Sequence, residues 1–260
     1  MSYENIKTTQ DGAAFIITFD RPERRNAISI ATMGELTEAA RAADADPSVR
    51  GIIVTGGMEY FSAGADLNDA LAISSAAEGL AYFKRWHALC DVFENLSKPV
   101  IAAIEGFCMT GGCEFAMACD LRVAGAGSSF AITSSKIGTV AGAGGTQRLA
   151  RLVGPAKALE ILFHGNPIDH EEAHRIGLIN RVTPKGGALD EAKAMIRTYE
   201  ERAPLSLAFA KRVVHRGLQM DLASALEFEA FLVTTIYGTA DRKEGISAFL
   251  EKRKAQFSGR

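Results

Sequence analysis

The chain of 260 residues is long enough to bury a sizeable core, and 47% of its residues are hydrophobic against 23% charged. Its formal net charge is −2, from 29 Lys and Arg against 31 Asp and Glu, a balance that does not suggest binding to nucleic acid or to an anionic membrane. We therefore expect a globular protein with no nucleic-acid partner and no membrane partner.

The N-terminal residues and the cysteines indicate a compartment. The segment MSYENIKTTQDG lacks the apolar region of a secretory signal, and no uncharged apolar run approaches the ~20 residues of a transmembrane helix. The four cysteines form no CxxC pair and lie in apolar stretches; they are Cys90, Cys108, Cys113 and Cys119. This pattern predicts reduced thiols inside the core of a cytoplasmic protein.

Short β-type segments alternate with helical patterns through the first two thirds of the chain. The predicted strands are 13–20, 51–56, 100–106 and 121–125. The predicted helices are 28–46, 78–96, which Lys98-Pro99 stops, and 111–118. Strands that alternate with helices predict an α/β layered domain.

From about residue 188 the pattern becomes purely helical. The predicted helices are 188–201, 204–217, 221–236 and 239–256. The turn-forming residues 183–187, Thr-Pro-Lys-Gly-Gly, separate them from the preceding strands. We therefore predict a core over residues 1–187 and a helical C-terminal region over residues 188–260.

One arrangement occurs twice in the core. Residues 51–67, GIIVTGGMEYFSAGADL, and 98–115, KPVIAAIEGFCMTGGCEF, each pass from a buried strand through a loop into small residues before a helix. Small residues at a helix start let a ligand approach free backbone N–H groups. Two such bends on neighbouring strands could direct two donors at one point, as an oxyanion hole requires. Tight turns alone are the alternative explanation for these glycines.

The motifs resemble those of a known family. FSAGADL (61–67), KPVIAAIEGFCMTGGCEFAMACD (98–120) and GAGGTQRLARLVG (142–154) stand in the order found in the enoyl-CoA hydratase/isomerase (crotonase) family, between RPERRNAI (21–28) and AFLEKRKAQF (248–257). The resemblance implies a crotonase-type spiral of β-β-α turns and a C-terminal helical region used to form a homotrimer or a dimer of trimers. It implies an acyl-CoA substrate, with coenzyme A as part of the thioester and no separately bound cofactor.

By position, the resemblance implies a set of catalytic residues. The N–H groups of Ala65 and Gly111 would bind the thioester oxygen and stabilise an enolate. Glu114 aligns with the first of the two acid–base glutamates of the hydratases. The second falls at Ser134, which can orient a water but cannot transfer a proton near neutral pH. These residues predict an enoyl-CoA hydratase or a double-bond isomerase, and a catalytically weak or silent acyl-CoA-binding protein is the alternative.

A structural role for Glu114 and a match to the family's isomerases are two alternatives to a hydratase. As a helix cap, Thr110 would need a glutamate at position 113 for a capping box, and Cys113 stands there. Catalysis is therefore the preferred interpretation of Glu114. The family's isomerases often carry their base at the position of Ser134, so this chain does not match them fully either.

The resemblance also implies residues that bind coenzyme A. They are Arg24 and Arg25 in the loop after the first strand, Ala63, Asp66 and Leu67 in the first bend, and Phe249 and Lys252 near the C-terminus. The last two would reach the cofactor of a neighbouring subunit. Arginine and lysine suit phosphate oxygens, although solvated surface charge also explains either arginine. Asn68 replaces the family's usual lysine, which removes one expected phosphate contact.

His87 and a zinc-type motif offer other chemistry. His87 falls where an aryl-CoA dehalogenase branch has a catalytic histidine, but the Asp nucleophile of that branch, expected near Gly142, is absent. His87 also falls on an apolar stripe with Leu80, Phe83 and Cys90, which favours a packed core histidine.

Residues 170–174, HEEAH, satisfy the H-E-x-x-H pattern of zinc metalloproteases. His170 and His174 would be the ligands and Glu171 the base. Gly177 closes the segment soon afterwards and no third ligand is assigned. The resemblance places the segment in a variable surface helix. The sequence therefore predicts no metal site.

Overall fold

The structure, a computed structural model, describes residues 3–260, and its strands form two sheets. The strands are β1 (Ile6–Asp11), β2 (Ala14–Phe19), β3 (Gly51–Thr55), β4 (Tyr60–Ser62), β5 (Val100–Ile104), β6 (Phe107–Met109), β7 (Leu121–Gly125), β8 (Ser129–Ala131), β9 (Ile168–Asp169) and β10 (Arg181–Thr183). The larger sheet has the order β1-β2-β3-β5-β7-β10, and the smaller sheet has the order β4-β6-β8-β9.

Helices surround the two sheets. They are α1 (Ile30–Ala45), α2 (Leu67–Leu71), α3 (Ala76–Asn95), α4 (Gly111–Ala116), α5 (Gly145–Val153), α6 (Pro155–His164), α7 (His170–Arg175), α8 (Ala188–Glu200), α9 (Pro204–Gly217), α10 (Leu222–Ile236) and α11 (Ala240–Leu250). Two short 3-10 helices cover Pro22–Arg24 and Ser134–Ile137. None of the described helices combines the length and the apolar character that crossing a membrane requires.

The repeating unit pairs one strand of each sheet. Strands β3, β5 and β7 lie parallel in the larger sheet, and each continues into a short strand of the smaller sheet, where β4, β6 and β8 are again parallel. The bends that follow β4 and β6 therefore lie side by side. This repeat confirms the predicted spiral of strand–strand–helix turns.

The central strands are buried on both faces, which explains their continuous apolar sequences. Every residue of β3 (GIIVT) and of β5 (VIAAI) is buried. One face packs on α8 through Ala188, Ala192 and Ile196. The other packs on the main core, which includes the buried residues of α1 and α3. Helix α8, the first helix of the predicted C-terminal region, is thus part of the core around the larger sheet.

The sequence missed the shorter and more polar strands. Strand β1 (IKTTQD) buries only Ile6, so it shows no apolar alternation, yet it pairs antiparallel with β2. Strands β4, β6 and β8 have three residues each, too few for a periodic signal; the sequence predicts loops at β4 and β6 and assigns no element at β8. The predicted helix 239–256 ends at Leu250, and beyond it Lys252 adopts a left-handed φ of 55°.

The cysteines are core residues, as predicted. All four are buried free thiols. Burial raises the pKa of Cys90 and of Cys119 to about 12, so neither is a thiolate near neutral pH.

Candidate active site

The bend after β4 leaves the Ala65 N–H free. Ile28 N–H donates to Gly64 O (2.8 Å), and Asp66 N–H donates to Ile28 O (3.0 Å). Because Ile28 bonds the neighbours on both sides of Ala65, the Ala65 N–H points to the opposite side of the segment. No acceptor within residues 3–260 takes a hydrogen bond from this amide.

The loop around Asn26 holds that bend in place. The Asn26 side-chain amide donates to Gly56 O (2.7 Å) and to Tyr60 O (2.9 Å). Ser62 Oγ donates to Asn26 O (2.7 Å) and accepts from Gly64 N–H (3.1 Å). These buried contacts satisfy main-chain groups that could not reach water. The motif RPERRNAI therefore braces the bend that carries Ala65.

Gly111 supplies the second free amide, at the start of α4. The first N–H groups of a helix have no partner within the helix, and no described residue accepts from Gly111 N–H. A Cβ on Gly111 would lie 3.0 Å from Ala65 N and 2.9 Å from Trp86 Cη2, and one on Gly64 would lie 3.1 Å from Gly111 N. The structure therefore brings the two predicted donors together and leaves no room for a side chain between them.

Glu114 lies on α4, one turn after Gly111, and is 2% exposed. Its Oε1 accepts from Ala143 N–H and from Gly145 N–H, both at 2.8 Å. Burial raises the pKa of Glu114, and the two amides together with the charges of Arg148 and His87 only partly offset that effect. A raised pKa makes the ionised carboxylate a stronger base, which suits a group that accepts a proton and returns it.

Helix α3 fixes the segment that bonds Glu114. His87 Nε2 donates to Gly142 O (2.8 Å), and Arg148 Nη1 donates to Ala143 O (3.1 Å). Arg148 is itself held by both carboxylate oxygens of Glu94, at 2.5 and 3.0 Å. The side chains that orient Glu114 therefore come from α3 and α5, far from it in sequence.

The expectation of a packed core histidine at position 87 is wrong. His87 is exposed, and so is Leu80. The buried face of α3 is formed by Tyr82, Trp86, Leu89, Cys90 and Phe93. The predicted stripe of Leu80, Phe83, His87 and Cys90 therefore shares only Cys90 with this buried face, and His87 bonds a loop carbonyl instead.

Ser134 is 4% exposed and begins the 3-10 helix after β8. The residue before it, Thr133, has its Oγ1 2.8 Å from Thr110 Oγ1. Because Thr110 directly precedes Gly111, Ser134 lies beside the second bend. Residues 128–147 contain no acid, so the segment supplies no second carboxylate.

The residues predicted for coenzyme A fall in two regions. Arg24 and Arg25 are exposed, and Ala63 N–H donates to Arg25 O (2.9 Å), so the first loop and the bend are adjacent. Leu67, at the start of α2, is 64% exposed. Phe249, at the end of α11, and Lys252, just beyond it, are also exposed, Phe249 by 82%. Their contact with a neighbouring subunit's cofactor stays a prediction.

Asp66 differs from the other predicted contacts because its carboxylate is bonded within the protein. It pairs with Arg21 (3.0 Å) and caps α2 by accepting from Asn68 N–H (3.1 Å). Burial alone would raise the pKa of Asp66, but the hydrogen bonds from Asn68 and Arg21, with the charges of Arg21 and Arg24, lower it on balance. Its side chain stabilises the bend.

The HEEAH segment and a nearby cavity do not add to this site. Gly127 N–H donates to His170 Nδ1 (3.3 Å), and His174 Nδ1 lies 3.3 Å from Ile179 O. Within the described chain, no group of three or more His, Cys, Asp or Glu side chains could hold a metal ion. A cavity of about 570 Å³ opens beside α9. Glu94 and Arg148, the ion pair that supports the segment bonded to Glu114, are among the residues that line this cavity.

Sequence reasoning missed three residues at the site. Trp86 covers Gly111, Thr110 adopts an unusual backbone conformation, and Tyr82 is buried on the same helix as Trp86. Burial raises the pKa of Tyr82, so it stays protonated. The signal in the sequence was the spacing of Tyr82 and Trp86, which are four residues apart on α3 and therefore lie on one face of that helix.

The fold places the chain among known structures. It superposes on the crystal structure of the enoyl-CoA hydratase from Bacillus anthracis with a TM-score of 0.93 and 31% sequence identity, over 99% of this chain and 100% of that chain. The likeness confirms the predicted α/β fold with the crotonase-type spiral and C-terminal helices.

Sequence comparison identifies the family. Residues 9–260 match the family model described as enoyl-CoA hydratase/isomerase. The crotonyl-CoA hydratase of Syntrophomonas wolfei is 38% identical over 258 residues, 99% of each chain. The short-chain-enoyl-CoA hydratase of Clostridium acetobutylicum is 35% identical over 257 residues, 98% of each chain. The chain belongs to the enoyl-CoA hydratase/isomerase family, as the motifs predicted, and is an enzyme of that type.

Proposed function

We propose that this protein adds water to the double bond of a 2-enoyl-CoA thioester. The observation that carries the proposal is the pair of adjacent amides of Ala65 and Gly111, which donate to no acceptor among residues 3–260, with the buried carboxyl of Glu114 one helical turn after Gly111. The named relatives in Syntrophomonas wolfei and Clostridium acetobutylicum support this choice of substrate. Coenzyme A would enter as part of the thioester.

In the proposed reaction one carboxylate serves both proton transfers. Glu114 takes a proton from a water, and the hydroxide forms a bond to C3 of the enoyl group. The electron pair of the double bond moves to the thioester oxygen, where the Ala65 and Gly111 amides stabilise the enolate. The protonated Glu114 then returns its proton to C2, so that one water is added and the enzyme is regenerated. Ser134 would orient the water.

Two other activities have a specific observation in their favour. A single acid–base group is enough to move a proton between the α and γ carbons, which is double-bond isomerisation. Ser134 in place of a second acid favours a weak or silent acyl-CoA-binding protein instead. All three activities require acyl-CoA binding at the two amides.

Turnover of defined thioesters separates these activities. Purified protein is incubated with 2-enoyl-CoA and 3-enoyl-CoA thioesters of short and medium chain length, and the absorbance of the conjugated thioester is followed. Loss of the 2-enoyl absorbance with formation of the 3-hydroxyacyl product is the expected result. Formation of 2-enoyl from 3-enoyl thioester without hydration would identify an isomerase. Binding without turnover of any thioester would overturn the proposed reaction and identify an acyl-CoA-binding protein.

We also propose that the C-terminal helices join copies of this chain as a trimer or a dimer of trimers. Large apolar side chains are exposed on α10 and α11, among them Leu222 (75%), Phe231 (72%) and Phe249 (82%). Light scattering on the eluted protein should give three or six times the mass of one chain, 27.8 kDa. A monomeric mass would contradict the assembly, and with it the role of Phe249 and Lys252 toward a neighbouring subunit.

A further inference from the structure

Thr110 has a backbone conformation that threonine rarely adopts. Its φ is 40° and its ψ is −112°. At positive φ the Cβ of an L-residue crowds its own main chain, and β-branched residues are genuine outliers there. Strained residues of this kind persist only where the surrounding structure holds them, and they cluster at functional sites.

Besides the helix bond from Glu114 N–H to Thr110 O (2.8 Å), three hydrogen bonds join Thr110 to the end of β8 and to the segment after it. Thr110 N–H donates to Ala131 O (2.6 Å). The two hydroxyls of Thr110 and Thr133 lie 2.8 Å apart, and Thr133 N–H donates to Thr110 Oγ1 (3.2 Å). The Thr110 hydroxyl does not cap α4, whose first residue it precedes. The side chain is therefore bonded sideways to the next segment of the spiral and not to the helix.

The same residue contacts both bends. The ψ angle of Thr110 sets the plane of the peptide that carries the Gly111 N–H. The Cβ of Thr110 also lies 3.3 Å from the position that a Cβ on Gly64 would occupy, and Gly64 directly precedes Ala65. A change in the conformation of Thr110 would therefore turn the Gly111 amide away from Ala65 N.

We propose that the Thr110–Thr133 hydroxyl pair is a positioning device that locks the strained Thr110 peptide and so aims the Gly111 N–H at the thioester oxygen. This inference rests on the proposed function of the two amides. A glycine at position 110 would adopt the same angles without a tether, because glycine has no Cβ to crowd the main chain. The hydroxyl of Thr133 is thus required only because position 110 is a threonine.

The test removes the hydroxyl pair, while the bonds from Thr110 N–H to Ala131 O and from Thr133 N–H to Thr110 Oγ1 remain. A second variant then replaces the strained threonine itself. Thr133→Val keeps the side-chain shape without the hydroxyl, and it should lower kcat on the 2-enoyl thioester about ten- to a hundredfold with little change in KM, since a misaimed donor weakens transition-state binding. Thr133→Ser retains the hydroxyl and should keep kcat near the wild-type value. The double variant Thr110→Gly/Thr133→Val should recover most of the lost kcat.

A binding readout makes the test independent of turnover. A 3-ketoacyl-CoA can ionise to an enolate, and two amides that stabilise the enolate increase the fraction of bound ligand in that form. The enolate absorbance of the bound ligand therefore measures how well the two amides are placed. Thr133→Val should reduce the bound enolate fraction, and the double variant should restore it. Thr198→Val is the matched control, because it removes a hydroxyl that bonds only Ala194 O (3.2 Å) on α8. Denaturant unfolding of each variant checks that the fold is intact.

Unchanged kcat and enolate absorbance in Thr133→Val would overturn the inference. A folded double variant no better than Thr133→Val in both readouts would also overturn it. By contrast, a wild-type protein that binds no acyl-CoA thioester and stabilises no enolate would overturn the proposed function itself. The two failures are therefore distinguishable.

Discussion

The two parts of the candidate site are built from different kinds of atoms. The donor part consists of the main-chain amides of Ala65 and Gly111, which the bends after β4 and β6 hold together. The proposed acid–base part consists of one side chain, Glu114, with Ser134 where the family resemblance implies a second acid. Main-chain donors survive most substitutions, whereas one side-chain replacement removes a proton-transfer group. A substitution of Glu114 is therefore expected to reduce proton transfer and to leave the two main-chain donors in place.

The largest effect is expected at the acid–base part. Glu114→Gln should lower kcat for hydration about 10²- to 10⁴-fold with KM nearly unchanged, because the amide cannot take up the proton of water. The glutamine oxygen can still accept from Ala143 and Gly145 N–H. Glu105→Gln is a matched control, since Glu105 is also buried and accepts from a backbone amide, that of Ala188 (3.0 Å). Steady-state kinetics measures both variants, and equal losses would remove Glu114 from the mechanism.

The donor part is tested by crowding the two bends. Gly64→Ala would place a methyl group 3.0 Å from Met109 O and 3.1 Å from Gly111 N at a φ of 107°. The two amides must then separate, and kcat should fall about a hundredfold. Gly127→Ala provides the comparison, because Gly127 also has a positive φ (91°) but a Cβ there meets nothing within 4 Å. If both variants keep equal activity, the close approach of the bends has no catalytic role.

A second acid should strengthen the acid–base part. Ser134→Glu places a carboxyl where the family resemblance implies one, and we expect hydration to rise about tenfold or more. Ser135→Glu, at the exposed neighbouring position, should leave the rate unchanged. Initial rates on the same 2-enoyl thioester compare the two variants. No gain in a folded Ser134→Glu protein would show that position 134 does not face the reacting atoms.

The raised pKa of Glu114 predicts a pH-dependent stability difference. Burial favours the neutral carboxyl, so the protonated form of Glu114 stabilises the folded protein relative to the ionised form. This contribution to the free energy of unfolding is complete below the ordinary carboxyl pKa, about 4.3, and is lost as pH rises through the folded-state pKa. The glutamine of Glu114→Gln cannot ionise, so the variant loses no unfolding free energy at this position as pH rises. The unfolding free energy of the variant relative to wild type should therefore increase with pH, measured by urea unfolding. A constant difference would contradict the raised pKa.

The smallest effect is expected where α3 supports the acid–base part. His87→Ala removes the bond to Gly142 O, but Arg148 still holds Ala143 O. We expect kcat to fall less than about tenfold, in keeping with the loss of one of several supporting hydrogen bonds. His164→Ala, at an exposed histidine on α6, is the control for kinetic assays. A loss as large as that of Glu114→Gln would assign His87 a direct part in the chemistry.

The sequence predicted those features that local patterns encode. The buried strands β3 and β5 were visible because apolar residues fill them. The bends carrying Ala65 and Gly111 were visible because small residues follow those strands. By contrast, β4, β6 and β8 are too short to show a period, although they place the bends side by side.

The supports of the site could not be predicted because they join residues far apart in the chain. The bond from His87 to Gly142 spans 55 residues, and the pair Thr110–Thr133 spans 23. The apolar stripe of α3 was misplaced because Leu80 is exposed while Tyr82 and Trp86 are buried, and apolar character alone does not distinguish these cases. The strain at Thr110 is a property of two dihedral angles that no motif indicates.

The central claim is that the Ala65 and Gly111 amides hold the same oxygen atom. A crystal structure of the protein with a non-hydrolysable acyl-CoA analogue tests it most directly. The expected result is a carbonyl oxygen about 2.7–3.1 Å from both nitrogens, with Glu114 facing the acyl carbons. An acyl-CoA whose carbonyl binds elsewhere, or an Ala65 or Gly111 N–H that donates to a protein acceptor in the complex, would contradict the account.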